Sequence, residues 1–340
     1  MSKKLTMKEI AELAGVSKAT VSRVLNARPG VHPETREKVQ QVIKAYSYSP
    51  NLVAQGLSSK RTRNIGLVVT HTTFRLSSHL FFLEFLRGIS GFLNEKGFRL
   101  ILATANSEED YEDSCRSMAQ NGVVDGVVIL GIRSNDERLR HFLDAGVPCI
   151  TVGRPIGYPD VDYVDSDNEG GARSAVEYLL QLGYEKVLFV NGPNDHVASI
   201  AREQGYRAAL NSHSLPSDGR YIIHGDFSFE SGYEAVRDAI ITGLEFSAVF
   251  AASDLAAMGA ITALKEEGIQ AGKDASVIGF DDIPYASFVD PPLTTVHQPI
   301  FEMGEEAGRL LLLRLGGEAQ GALNKVFRTQ LIIRESTRHS

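Results

Sequence analysis

The sequence predicts a two-part chain: an all-α helix-turn-helix head followed by an α/β body built from two parallel-sheet subdomains. Three observations lead there. Residues 1–63 carry 12 Lys+Arg against 4 Asp+Glu, whereas the remainder carries 23 against 38, so a basic head precedes an acidic body. Apolar residues in the first 46 positions recur with helical period. From Ile65 onward, strand-like apolar runs alternate with amphipathic helical stretches, the pattern of parallel sheets covered on both faces.

Composition sets the outer bounds. The chain has 340 residues, 43% hydrophobic and 23% charged, which excludes disorder and collagen and allows two or three domains. Apolar runs such as Gly126–Ile132 fall well short of the roughly 18 residues a membrane helix needs, and no apolar signal region follows the N-terminal lysines. A cytoplasmic chain with no membrane partner is expected. The two cysteines, Cys115 and Cys149, lack CxxC spacing and read as reduced, buried thiols.

Within the head, Thr6 and Glu9 form a capping box ahead of Ile10, Leu13 and Ala14, and Gly15 stops that helix. Ser17 caps a second helix on which Val21, Val24 and Leu25 form an apolar stripe. Lys18, Ala19, Ser22, Arg23 and Asn26 line the opposite face. Short or basic side chains there suit a major groove about 12 Å wide. A third helix opened by Glu34 brings Val39, Val42, Ile43 and Tyr46 to close the core. The basic face implies a polyanion partner.

The connector begins at Ser49 and Pro50, an N-cap and a first helical position for the segment Asn51–Ser58. Isolated helices under about 12–15 residues are marginal in water, so this segment is expected to be helical only when docked. Lys60, Arg61 and Arg63 either contact phosphate or are solvated.

In the body, eight runs read as strands: NIGLVVT, FRLILATA, GVVILG, PCITVG, KVLFVNG, YIIHGD, SAVFAAS and ASVIGFDD. Ligands of such sheets bind beyond the carboxyl ends of strands, which selects Arg154, Asn191, Phe227, Ser253, Asp254, Asp281 and Asp282. There is no GxG, Walker A, GxSxG or HExxH sequence. A binding protein is therefore expected rather than an enzyme, with no cofactor and no metal.

The run Met7–Asn26 (MKEIAELAGVSKATVSRVLN) resembles the helix-turn-helix of the lactose/galactose repressor (LacI/GalR) family. The resemblance extends nearly end to end, and it implies a body like that of periplasmic sugar-binding proteins. It implies DNA contacts from Thr6, Ser17, Lys18, Ala19, Thr20, Ser22, Arg23 and Asn26. In the connector it implies contacts from Asn51, Val53, Ala54 and Leu57, with Leu57 as a minor-groove wedge that kinks the duplex. Read without the resemblance, Leu57 is an ordinary linker residue. Gln55 departs from the Arg common in the family.

For the body, HLFFLEFLRGI, VDSDNEGG, IAREQGYRAAL, FSFESGY and IGFDD match the family's effector-binding core. By position this implies Phe81, Phe82, Arg154, Asn191, Arg202, Phe227, Ser253 and Asp281 as effector-binding residues. Arg donating and Asp accepting can hold neighbouring sugar hydroxyls under an aromatic face. The other reading of Arg202 and Asp281 is a structural ion pair. Ser253 replaces an Asn frequent in sugar-responsive members, and Arg154 leaves an acidic or phosphorylated ligand open.

The domain organisation implied is 1–49 for the head, 50–63 for hinge helix and linker, and 64–340 for the core. Subdomain one would comprise about 64–160 and 293–326, and subdomain two about 161–292 and 327–340. The expected function is a transcription regulator, most simply a repressor, binding a near-palindromic double-stranded DNA operator as a homodimer, with a tetramer possible. A small molecule in the cleft, a sugar or sugar derivative, would control it. The alternatives are control by a protein partner, or by a nucleobase or phosphorylated corepressor.

Overall fold

A computed structural model describes residues 5–25, 29–46, 48, 61–69, 80–103 and 108–337. The chain divides into two units, Met1–Thr62 and Arg63–Ser340.

The first unit is a three-helix cluster of α1 (Met7–Ala14), α2 (Lys18–Leu25) and α3 (Pro33–Ala45). The capping box forms: Glu9 N donates to Thr6 Oγ1, and Thr6 N donates to Glu9 Oε2 at 2.6 Å. Gly15 ends α1 at φ 65°, a left-handed conformation that glycine adopts without steric cost. Thr20 N donates to Ser17 Oγ at 3.1 Å, so Ser17 caps α2 as expected. Ile10, Ala11, Ala14, Val21, Val24 and Val39 make the core. Two expectations are corrected. Leu13 is half exposed, and Tyr46 lies beyond the last turn of α3 and faces solvent. The chain then folds back, Tyr48 N donating to Ile43 O at 2.9 Å, and Tyr48 packs on the core instead.

The second unit holds two six-stranded sheets. The first contains β1 (Asn64–Val69), β2 (Arg99–Ala103), β3 (Gly126–Leu130), β4 (Cys149–Val152), β5 (Asp162–Ser166) and β11 (Asn324–Phe327), ordered β11-β5-β4-β3-β1-β2. The second contains β6 (Val187–Asn191), β7 (Ile222–His224), β8 (Ala248–Ala251), β9 (Ser276–Asp281), β10 (Thr294–His297) and β12 (Gln330–Ile332), ordered β12-β10-β9-β8-β6-β7. Every pairing in the first sheet is parallel. In the second, β10 and β12 pair antiparallel at the edge. β1, β3, β6, β8 and β9 are buried nearly throughout, which is why they read as continuous apolar runs.

The chain passes between the sheets three times. It crosses after Ser166 at the end of β5, after His297 at the end of β10, and after Phe327 at the end of β11. The boundaries expected near 160, 293 and 326 are thus corrected: β5 belongs to the first sheet, β10 to the second, and Phe327 still pairs with Ser166. The strands next to the crossings are short and polar, DYVDS and TTVH among them, so an apolar-run criterion passes over them.

Two helices of the first lobe, Leu80–Glu95 and Ile300–Gly316, pack at close range through Gly88 and Gly304. A Cβ on Gly88 would sit 2.1 Å from the Phe301 carbonyl oxygen. One turn away, a Cβ on Gly91 would meet open space. Gly88→Val should therefore destabilise the core by about 3 kcal/mol through overpacking against rigid backbone. Gly91→Ala should instead stabilise it by up to about 1 kcal/mol through helix propensity. Urea midpoints of the two variants moving in the same direction would contradict this account of the helix pair.

Candidate functional site

The carboxyl ends of β1, β3, β4, β5, β8 and β9 converge on a cleft lined by both apolar and polar side chains, the composition of a small-molecule site. Phe81, Phe82, Arg202, Phe227, Ser253 and Asp281 line it, so six of the eight residues named from the sequence are brought together. The lining includes the apolar Val69, Leu80, Phe81, Leu255, Ile283 and Met303. It also includes the polar Asp165, Ser166, Asn168, His196, Arg202, Asp281 and Gln298.

Arg202, on the helix Val197–Ser212, is 5% exposed. Its Nε donates to Asn168 Oδ1 at 2.9 Å and its Nη1 to the Ala252 carbonyl. The guanidinium lies 3.8 Å from the Phe280 ring centroid, a cation–π contact. Burial lowers the Arg202 pKa, opposed by the charges of Asp281, Asp165 and Asp254. No ion pair within 4.0 Å joins Arg202 to Asp281 among the described residues, so the structural ion-pair reading is not what the cleft contains. Instead Asp281 Oδ1 accepts from Gln298 Nε2 at 2.6 Å.

The carboxylates carry the opposite burden. Burial raises the Asp281 pKa to about 7, against the lowering effects of Arg202 and the Gln298 hydrogen bond. Asp165 is pushed up to about 6, mainly by burial, although Arg154 N, Ser166 N and Asn168 Nδ2 all donate to it. Asp254 is wholly buried, and its pKa is raised by burial and by Asp281. It does not line the cleft; it accepts from Ile283 N at 2.8 Å and from Thr295 Oγ1, and so fixes the turn after β9. Asp282 pairs with Arg334 at 2.7 Å and lies 3.0 Å from His297 Nδ1.

The backbone at this end is strained. Phe227 (φ 66°), Asp281 (φ 120°) and Asp282 (φ 57°) all occupy positive φ, which costs of order 1–3 kcal/mol each for such residues. Gly192 makes room for the Phe227 ring, since a Cβ there would lie 2.1 Å from the ring carbon Cζ. Ser253 donates to the Phe227 carbonyl at 2.7 Å and caps the helix Asp254–Glu266 through Ala256 N. Its hydroxyl is thereby engaged within the protein.

Two residues named from the sequence are not among the cleft lining. Arg154 is exposed and touches the site only through its backbone N–H to Asp165. Asn191 turns inward, donating to the Ser199 carbonyl and accepting from Gly192 N, so its amide closes a turn. Sequence reasoning missed Asp165, Asn168, His196 and Gln298. Three of these lie at or beside crossings, and VDSDNEGG offered a signal for Asp165 and Asn168. His196 stands against the Phe227 ring edge-on, with centroids 5.3 Å apart.

In the head, Lys18, Ala19 and Arg23 are exposed along one face of α2, with Thr20 and Ser22 half-buried beside them. Ser17 and Thr20 hydroxyls lie 2.9 Å apart. Thr6 is held in the capping box. Asn26, Asn51, Val53, Ala54 and Leu57, and with them the expected hinge helix, lie outside the described residues.

Raised carboxyl pKa values mean that the folded core binds more protons than the unfolded chain between about pH 4 and 7. Stability contributed by protonated Asp281 and Asp165 is present at low pH and is lost as pH rises through about 6 to 7. Asp281→Asn should therefore raise the urea midpoint relative to the parent at pH 8, with the gap shrinking at pH 5. A gap independent of pH would sink this reading of the cleft electrostatics.

The model of bacterial regulatory proteins of the lacI family matches residues 6–51, and that of the periplasmic binding protein-like domain matches residues 176–337. The HTH-type transcriptional regulator CelR of Thermobifida fusca is 38% identical over 333 residues, covering 97% of this chain and 98% of CelR. Among solved structures, a transcriptional regulator CelR–cellobiose complex superposes with a TM-score of 0.78 at 37% identity, covering 98% of this chain and 99% of that one. The lac repressor dimer bound to operator and the anti-inducer ONPF superposes with a TM-score of 0.86 at 28% identity, covering 99% and 100%. Such relatives are regulators and not enzymes, and their likeness runs through head and core alike. This chain belongs to the LacI family of bacterial DNA-binding transcriptional regulators.

Proposed function

We propose that the protein is a repressor that binds a near-palindromic operator as a homodimer and is controlled by a neutral carbohydrate held in the cleft. One observation carries the ligand assignment. Among the described residues, Arg202 and Asp281 are each only partly satisfied by protein, leaving guanidinium donors and the Asp281 Oδ2 acceptor for a ligand beside the Phe227 ring. Hydroxyls, which both donate and accept, fit that pair.

Charge supports a neutral ligand over an acidic one. Asp165 and Asp281 face the cleft with Arg202 as the cation between them, and Asp254 adds negative charge behind. Arg154, the residue that favoured a phosphorylated effector, is exposed and outside the lining. The similar CelR structure in complex with cellobiose makes that disaccharide the first probe. For the dimer, Phe288 (82% exposed) and Tyr285 offer apolar surface to a second copy.

On the DNA side, Lys18 and Arg23 supply cations and Arg23 a guanidinium fork for a guanine edge. Ala19 can offer only apolar contact there. Selection of bound sequences from random DNA, with and without cellobiose, tests operator symmetry and effector response together. A palindromic consensus whose recovery changes with cellobiose is expected; no preference over scrambled competitor would remove the function.

Arg23→Ala should relax preference at one base position per half-site, a loss of roughly 1–3 kcal/mol of discrimination. An unchanged consensus would count against that role. Leu57→Ala should weaken specific operator binding by about tenfold or more while leaving nonspecific binding at low salt little changed, as removal of an intercalating wedge requires. Equal loss of both would refute the wedge.

A further inference from the structure

The three crossings are stitched to one another. Asp167 N donates to the Phe327 carbonyl at 2.8 Å, and Thr329 Oγ1 donates back to the Asp167 carbonyl at 3.2 Å, joining the first crossing to the third. Ser166 Oγ donates to Gln298 Oε1, joining the first to the second. Gln298 and Ser166 are each 3% exposed, so the bond between them is largely buried at the edge of the cleft. The other end of the same amide, Nε2, donates to Asp281 Oδ1, and the Gln298 backbone N donates to the Asp281 carbonyl at 3.4 Å.

The hydrogen bonds orient this amide. Gln298 presents Nε2 to Asp281, the arrangement an ionised carboxylate requires, which turns Oε1 toward Ser166 and makes the serine the donor. Through one side chain Gln298 bonds both Asp281 and Ser166 at the first crossing; Asn168 does the same for Asp165 and the Ser166 carbonyl, but has no bond to Asp281 among the described residues. Asp281 is also a residue held at positive φ, where a small change of hydrogen bonding is felt by the backbone.

We propose that Gln298 is the positioning residue that couples Asp281 to the crossings, so that a ligand hydroxyl bonded to Asp281 is registered at Ser166 and in closure of the cleft. This rests on the cleft being the effector site. When a hydroxyl donates to Oδ2, the carboxylate plane is fixed. The Gln298 amide is fixed with it, and the Ser166 hydroxyl follows. Without the amide, Asp281 still accepts from a ligand but no longer reports to the chain crossings.

The test uses the full-length chain, a selected operator, and cellobiose as probe. Parent, Gln298→Met, Ser166→Ala and the double variant are compared for operator affinity with and without cellobiose, for cellobiose affinity by calorimetry, and for thermal midpoint. The parent ratio of operator affinities should fall in the typical range of roughly 5–150-fold. It should drop below about twofold in each single variant and no further in the double, the signature of one shared path. Cellobiose affinity should fall by a smaller factor than the ratio does. A ratio retained in Gln298→Met, or losses that add in the double variant, overturns the proposal.

A second measurement is independent of the sugar assignment. Without any ligand, the Asp167 amide in Gln298→Met should exchange hydrogen about tenfold faster than in the parent, while β1 and β3 amides stay unchanged. Unchanged exchange at Asp167 overturns the proposal even if cellobiose proves not to bind. Failure of cellobiose to bind the parent counts against the carbohydrate reading alone.

Discussion

One buried cation, Arg202, sets the terms of the cleft. Arg202 is nearly excluded from solvent, and a guanidinium in that position is tolerable only if its donors and its charge are met from several directions. The Asn168 amide comes from the first crossing, the Ala252 carbonyl from the end of β8, and the Phe280 ring from β9. The carboxylates come from the ends of β5 and β9. Those demands can be met together only where the carboxyl ends of both sheets face one another, so the same residue that needs the cleft also defines it. The reciprocal holds for Asp281 and Asp165, whose burial pushes them toward the neutral form: Asp281 is compensated first by Arg202, and Asp165 by the Arg154 and Ser166 backbone amides and then by Arg202.

Around that cation the backbone is forced into conformations that non-glycine residues avoid. Phe227, Asp281 and Asp282 are all held at positive φ, and each is pinned by something rigid. Ser253 holds the Phe227 carbonyl while it caps a helix, Asp254 holds the Ile283 amide, and Arg334 holds Asp282. Ser253, which lines the cleft, and Asp254 and Asn191, which do not, thus spend their polarity on holding neighbouring backbone in place. Strain of this kind persists only where surrounding bonds over-determine it.

That division explains what could be read from the sequence. The head was legible because its signals are local: the Thr6–Glu9 capping box, the Gly15 stop and the apolar stripe of α2 all act within a few residues. Leu13 and Tyr46 misled because periodicity does not show where a short helix ends or how the chain folds back to bury Tyr48. Buried central strands were legible as apolar runs, whereas β5, β10, β11 and β12 were not, since strands beside crossings are short and carry the polar groups that stitch the hinge. The same cause displaced the boundaries. Arg202, Phe227 and Asp281 came from resemblance and strand-end position, and the structure brings them to one cleft. Asn191 and Arg154 satisfied the same positional rule and face elsewhere, because the rule locates a strand end but not the direction of its side chains. Gln298 had no local signal at all: its partners are 132 and 17 residues away in sequence.

The energetic scale makes a single amide a reasonable carrier of regulation. Coupling between two sites of a protein is typically 1–3 kcal/mol, and a hydrogen bond to a charged group contributes about 1.5–3 kcal/mol net. One bond of the Gln298–Asp281 type, formed in one arrangement of the lobes and weakened in the other, is therefore comparable to a whole allosteric signal. Hydrophobic burial could not play that part so sharply. The two lobe cores, one around Leu67, Phe85 and Ile129 and the other around Phe189, Phe250 and Phe280, lie mostly within one lobe each, with Val197 reaching into the first and Leu80 into the second. Burial internal to a lobe is the same whichever way the lobes are disposed, so it cancels from the difference between states. What distinguishes the states is the set of contacts between lobes, where the polar groups at the crossings stand beside the contacts of Ile132, Arg133 and Ser134 with Asp195, His196 and Val197, and a ligand's own hydrogen bonds are of equal size. The sign of regulation then depends only on which arrangement lets Asp281 bond Gln298 and the ligand at once.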